Sequence, residues 1–190
     1  MNLQQLKASY ETMWASCTIM PSRLKEVSEV ATRLVEQKAK LAYIAVSKLT
    51  SVPWFVIAVI HEREASQHWW ANIANGEPFN RITKMVPRGR GPFRSWQDAA
   101  VDALKNCPPF MAKNQDWSAG GALMHLVQYN GLAYEFHHNE WSPYVWAATN
   151  HEERGKYVTD GHYDPRVWDM QLGCAAMLKS MSQLDADVKF

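Results

Sequence analysis

The chain has 190 residues, a formal net charge of +1, 47% hydrophobic residues and 21% charged residues. That length suits one domain with up to two lobes and a sizeable core, and the near-neutral balance gives no argument for nucleic acid or an anionic membrane as a partner. Cys17, Cys107 and Cys174 are widely spaced and odd in number, so free thiols in a reducing compartment are expected.

The N-terminus lacks an apolar core of signal-peptide length. No apolar run approaches the roughly 20 residues of a membrane span. Synthesis in a host cytoplasm, without stable membrane insertion, is the expectation. Nine tryptophans exceed ordinary usage, and seven tyrosines accompany them. Core packing is the common role for such rings, and stacking on sugars is another.

In chain order, Leu3, Leu6, Tyr10, Met13, Trp14 and Cys17 recur at helical spacing. Pro21-Ser22 interrupts, with Ser22 as a possible cap. Residues 24–49 then read as one long helix, or two with a bend. Ser51 is a cap candidate for the next helix, with Pro53 in its first turn, where a missing N–H costs little. Val52 to Ile60 is unbroken apolar or proline sequence, so this helix is expected to be central and buried, ending near 68–71.

Residues 72–94 are rich in glycine and proline and read as a hairpin or irregular lobe. Ser95 opens a short helix to about Asn106, closed by Pro108-Pro109. Ser118 caps a helix through Tyr129, with Gly131 as its stop. Residues 137–163 are polar, aromatic and turn-rich. Asp164-Pro165 is the expected start of a final helix through Val167, Met170, Leu178 and Met181. The fold class is therefore mainly α, a helical domain around a central buried helix with a small hairpin or irregular lobe.

The central helix ends in His61, Glu62, Arg63, Glu64 and Ser66. Carboxylates at the end of a buried element have a cost to justify, and acid catalysis is one use for such a setting. Glu62 and Glu64 both share faces with apolar residues, so periodicity does not choose between them. No HExxH motif follows His61, and neither metal nor cofactor is expected. Arg81, Lys84, Arg88, Arg90 and Arg94 form a local basic stretch. It reads as a solvated surface, or as one suited to an anionic cell wall or outer-membrane lipid, with nucleic acid last.

Glu64-Ala65-Ser66 after an apolar helix resembles the glutamate motif of lysozymes and lytic transglycosylases. Tyr129-Asn130-Gly131 resembles a later motif of the same superfamily. Asn75-Gly76-Glu77-Pro78, Ser142-Pro143-Tyr144-x-Trp146, Gly155-Lys156-Tyr157-Val158 and Asp160-Gly161-x-Tyr163-Asp164-Pro165 are similar to patterns of bacterial and phage lysozyme-like proteins. The resemblance covers roughly residues 50–180. It implies an α+β lysozyme-like fold and one catalytic domain over 1–190.

The resemblance further implies an N-acetylmuramidase that cleaves the β-1,4 bond between N-acetylmuramic acid and N-acetylglucosamine, as a phage or prophage endolysin does. Glu64 is then the general acid. Glu77 and Thr83 are the implied water-positioning pair, although phage-type lysozymes place an Asp before that Thr, nearer the acid. His61, Ser66, Tyr129, Asn130, Tyr144, Trp146 and Asn150 are the implied substrate-binding residues, with Trp69 or Trp70 as further groove candidates. The implied partner is the peptidoglycan glycan strand, met by a monomer after holin-type release to the cell wall. A lytic transglycosylase, or a non-catalytic wall-binding or phage structural protein on the same fold, is the alternative.

Overall fold

The computed structural model describes residues 1–159 and 161–190. Asp160, part of one of the resembling motifs, lies outside them. The described chain is mainly helical. It divides into two compact units: residues 1–32 with 116–190, and residues 33–115.

The first unit is built on α1 (Leu3–Ser16) and α6 (Ala119–Asn130), which pack on each other. Helix α1 begins with a reciprocal cap, in which the Asn2 side chain accepts from the Gln5 amide and the Gln5 side chain accepts from the Asn2 amide. Ser118 caps α6 as expected. The two helices approach closely at Gly120, where a Cβ would lie 2.5 Å from the Lys7 carbonyl oxygen. The Gly120 amide donates to Glu11 Oε2 at 2.6 Å.

Tyr134–His138 forms a π-helical turn, followed by the short α7 (Pro143–Trp146). The final helix α8 (Cys174–Leu184) packs on α7 and α6. It starts well after Asp164-Pro165, because Asp164 instead closes a turn through the Arg166 amide. The only named sheet among the described residues pairs β1 (Lys156–Thr159) with β2 (His162–Asp164), antiparallel. Residues 72–94 take the irregular form of the two expected for them, with turns and one isolated bridge between Ala71 and Pro78.

Residues 24–49 are two helices. α2 (Leu24–Val35) and α3 (Gln37–Thr50) break at Glu36, whose ψ of 136° is extended. In the second unit, α3 packs on both α4 (Trp54–Ala65) and α5 (Trp96–Asn106). Ser51 ends α3 in the left-handed conformation and does not cap α4. Every residue of α4 from Trp54 to His61 is buried, as an element apolar on all faces requires. Each large apolar side chain enclosed there stabilises the fold by roughly 1.5–3 kcal/mol.

The end of α4 falls at Ala65, earlier than the sequence predicts. Ser66 and Gln67 both take positive φ, 48° and 56°. Gln67 holds this turn by donating from Nε2 to the Arg33 carbonyl at 3.2 Å and to the Tyr43 hydroxyl at 3.1 Å. The three cysteines are free and buried. Among the described residues, no single helix is long and apolar enough to cross a membrane.

Candidate active site at the end of α4

The last turn of α4 carries both acids. Arg33 Nη2 donates to both Glu62 oxygens, at 3.2 and 3.3 Å, and the Glu62 side chain is only 15% exposed. Glu64 is half-buried. Its backbone carbonyl is overlaid by Gly76, where a Cβ would come within 2.8 Å of the oxygen. Gly76 also has φ +74°, which a side chain tolerates poorly. The Asn75-Gly76 turn is thereby seated on the residue carrying the carboxylate.

His61 is fully enclosed, at 0% exposure. Its Nε2 lies 3.2 Å from the His68 carbonyl and its Nδ1 lies 3.0 Å from the Tyr43 hydroxyl. A carbonyl only accepts, so Nε2 carries the proton and Nδ1 accepts from Tyr43. Burial pushes the imidazole down to about 4, so the ring is neutral near pH 7. The rings of Trp69 and Trp96 pack against it at 4.8 and 4.7 Å between centroids. The groove-lining role expected of His61 gives way to a core role, because both nitrogens face inward.

Glu77 and Thr83 organise the lobe. Glu77 accepts from the amides of Lys84, at 3.1 and 2.9 Å to its two oxygens, and of Met85 at 2.9 Å. The Asn75 side-chain amide donates to it as well. Thr83 is 4% exposed. Its hydroxyl donates to the Pro87 carbonyl at 2.6 Å and accepts from the Arg90 amide at 3.0 Å. The expected water-positioning pair is therefore engaged in fastening its own loop.

A groove of about 680 Å³ opens beside the Ser66–Gln67 turn, with Arg33, Lys38, His68 and Trp69 in its wall. Ser66 lies on it. Trp69 is 39% exposed and is braced by stacking on Tyr43 at 5.4 Å. Trp70 is more exposed still, at 55%. Arg33, the partner of Glu62, was not foreseen, because it comes from a different helix and nothing in local spacing marks it.

The remaining expected site residues belong to the first unit. Tyr129 is half-buried and Asn130 exposed at the end of α6, where Gly131, at φ 116°, stops the helix as expected. Tyr144 is 3% exposed and Trp146 0%; Trp146 packs edge-on to Tyr10 at 5.2 Å. Asn150 joins its own segment to residues 16–18. Its Oδ1 accepts from the Thr18 amide at 2.8 Å, and its Nδ2 donates to the Ser16 carbonyl at 3.2 Å. The structure makes Tyr144 and Trp146 core residues and Asn150 a backbone tether, where the sequence reading placed all three along a saccharide groove.

One buried acid escaped the sequence reading. Glu135 is 3% exposed and accepts at Oε1 from the Tyr10 hydroxyl at 2.5 Å and from the Ser142 amide at 2.9 Å. Burial raises its carboxyl above the usual range. Its place in a polar, aromatic stretch of sequence carries no periodicity that marks it as interior.

No protein-family model matches the chain, and neither a curated protein nor a solved structure matches it.

Proposed function

We propose that the chain cleaves peptidoglycan glycan strands at the β-1,4 bond between N-acetylmuramic acid and N-acetylglucosamine, with Glu64 as proton donor. The observation that carries this reading is the placement of Glu64, half-buried in the last turn of a helix whose residues Trp54 to His61 are all buried, with the Asn75-Gly76 turn seated on its backbone. General acid catalysis needs a carboxyl held in fixed geometry against the leaving oxygen. The motif resemblance of Glu64-Ala65-Ser66 and Tyr129-Asn130-Gly131 supports the same assignment.

A specific observation favours the transglycosylase form of this chemistry over hydrolysis. Glu77 and Thr83 are hydrogen-bonded within their loop, which leaves the hydrolytic route without its expected water-positioning pair. In the transglycosylase route, Glu64 protonates the leaving glycosidic oxygen. The muramic acid's own hydroxyl then attacks the anomeric carbon and returns its proton to the carboxylate, so no second carboxylate is required.

Purified peptidoglycan incubated with the parent and with Glu64→Gln tests both levels. The expected result is release of muropeptides by the parent alone, ending in 1,6-anhydromuramic acid. Reducing ends in place of anhydro ends would restore the hydrolase. Equal release by parent and variant would remove Glu64 from the chemistry, and binding without release by either would favour a wall-binding protein.

A further inference from the structure

The lobe of the second unit carries a surface that the reading of Glu64 does not use. From residue 80 to 94 there is no acidic residue, and there are five cations. The same segment exposes three apolar side chains: Ile82 at 60%, Met85 at 52% and Val86 at 78%. Single exposed apolar residues are ordinary, but three within five positions, set among cations, form an amphipathic patch.

The presentation is built in. Thr83 is the buried pin of the loop, and its amide donates to the Arg90 carbonyl at 2.9 Å while the Gly89 amide donates back to the Thr83 carbonyl at 3.0 Å. Glu77 grips the amides of Lys84 and Met85. With Thr83 turned inward, Ile82 and Lys84 on either side of it are exposed. Arg90 is ion-paired with Asp102. Setting Glu77 and Asp102 against the five cations still leaves a positive excess, and Arg81, Lys84 and Arg88 are all exposed.

We propose that this loop docks on an anionic lipid surface. Ile82, Met85 and Val86 enter the boundary between headgroups and acyl chains, and Arg81, Lys84 and Arg88 meet the lipid phosphates. Charge complementarity selects an anionic partner, and the apolar trio selects lipid, because nucleic acid and polysaccharide offer cations a partner but no acyl phase. The loop is too short for a span and sits at the interface. Each cation near such a surface strengthens binding by about fivefold.

The test uses the full chain and needs no catalysis, so its outcome is separate from the fate of the glycan-cleaving reading. Cosedimentation is measured with phosphatidylcholine vesicles, with and without phosphatidylglycerol, at low and high salt. The expected result is binding to the anionic vesicles alone, weakened by salt. Ile82→Ser/Met85→Ser/Val86→Ser is expected to lower partitioning by more than about tenfold. Arg81→Glu/Lys84→Glu/Arg88→Glu is expected to lower it by about a hundredfold, and it serves as a second variant should the serine protein melt differently from the parent. No binding to anionic vesicles at low salt overturns the proposal, as does equal binding to neutral vesicles or a serine variant that binds like the parent. Capture of the parent by heparin but not by vesicles also overturns it, in favour of a soluble polyanion.

Discussion

Arg33 reaches both oxygens of Glu62 from a single Nη2, a contact between two helices that sequence spacing does not mark. The pair is partly solvated, with Arg33 46% exposed, so its stability contribution is at most about 1 kcal/mol. Glu62→Gln is therefore expected to lower the melting temperature slightly and to keep most of the parent's rate of lysing permeabilised Gram-negative cells. Glu64→Gln is expected to lose activity by roughly 10²–10⁴-fold. The reverse ranking in a turbidity assay would move the acid role to Glu62.

Gly76 ties the lobe to the end of α4. Gly76→Ala places a Cβ 2.8 Å from the Glu64 carbonyl oxygen at a φ of +74°, so the turn and the end of α4 must shift. The left-handed conformation alone costs a non-glycine residue about 1–2 kcal/mol. The expected outcome is a lower melting temperature together with a fall in glycan cleavage larger than that of Gly89→Ala. Gly89 is the control because its φ is also positive, at +75°, and its Cβ meets nothing within 4 Å.

Glu77 is expected to matter through its loop. Glu77→Gln leaves one acceptor oxygen where two now serve the Lys84 and Met85 amides. An acceptor lost from such a clamp costs about 1–3 kcal/mol locally. Hydrogen exchange at those two amides is expected to accelerate by roughly tenfold or more. If exchange is unchanged while cleavage collapses, Glu77 acts on the substrate or water directly.

His61 couples folding to pH. Its ordinary value of 6.5 drops to about 4 on burial, so between those values the unfolded chain binds a proton that the folded chain refuses. Stability is fully present above about pH 6.5 and declines as pH falls toward 4, by about 3 kcal/mol in all. Urea titrations across this window are expected to show that slope in the parent and a flatter profile in His61→Gln.

Glu135 works in the opposite sense. Burial raises its folded-state value above 4.5, so its stabilising share is present at low pH and is lost as pH rises through the raised value. Tyr10→Phe removes one of the donors to its Oε1 and is expected to destabilise by about 1–3 kcal/mol, read as a drop in urea midpoint. The deficit is expected to grow with pH, as the carboxylate left without the phenol becomes charged.

Elements governed by local chemistry were legible in the sequence. The Ser95 and Ser118 caps, the Gly131 stop and the apolar run of α4 each act within a few residues, and each fell where expected. Boundaries set by distant partners did not. Helix α4 stops at Ala65 because Gln67 is held by Arg33 and Tyr43, from different helices. Residues 72–94 took the irregular form of the two expected, closed on Glu77 and Thr83, while the strand pairing at Lys156–Thr159 and His162–Asp164, where Tyr157 faces Tyr163, was not marked by local pattern. The same reason separates the site residues. Trp146 and Asn150 look suited to sugar by type, but Tyr10 and the 16–18 segment, far off in sequence, claim them for the interior and for a tether.

The first unit is assembled from residues 1–32 and 116–190, with the second unit inserted as an unbroken stretch between them. On a ribosome, α1 emerges first and has no α6 to meet until more than a hundred residues later. The inserted unit is complete by residue 115 and can close while α1 still waits, with Gly120 supplying the slot against Lys7 only afterwards. Truncation after residue 115 is therefore expected to leave the Glu64 helix folded, read as retained helical circular dichroism, in a chain that has lost Glu135 and Trp146, the partners of Tyr10.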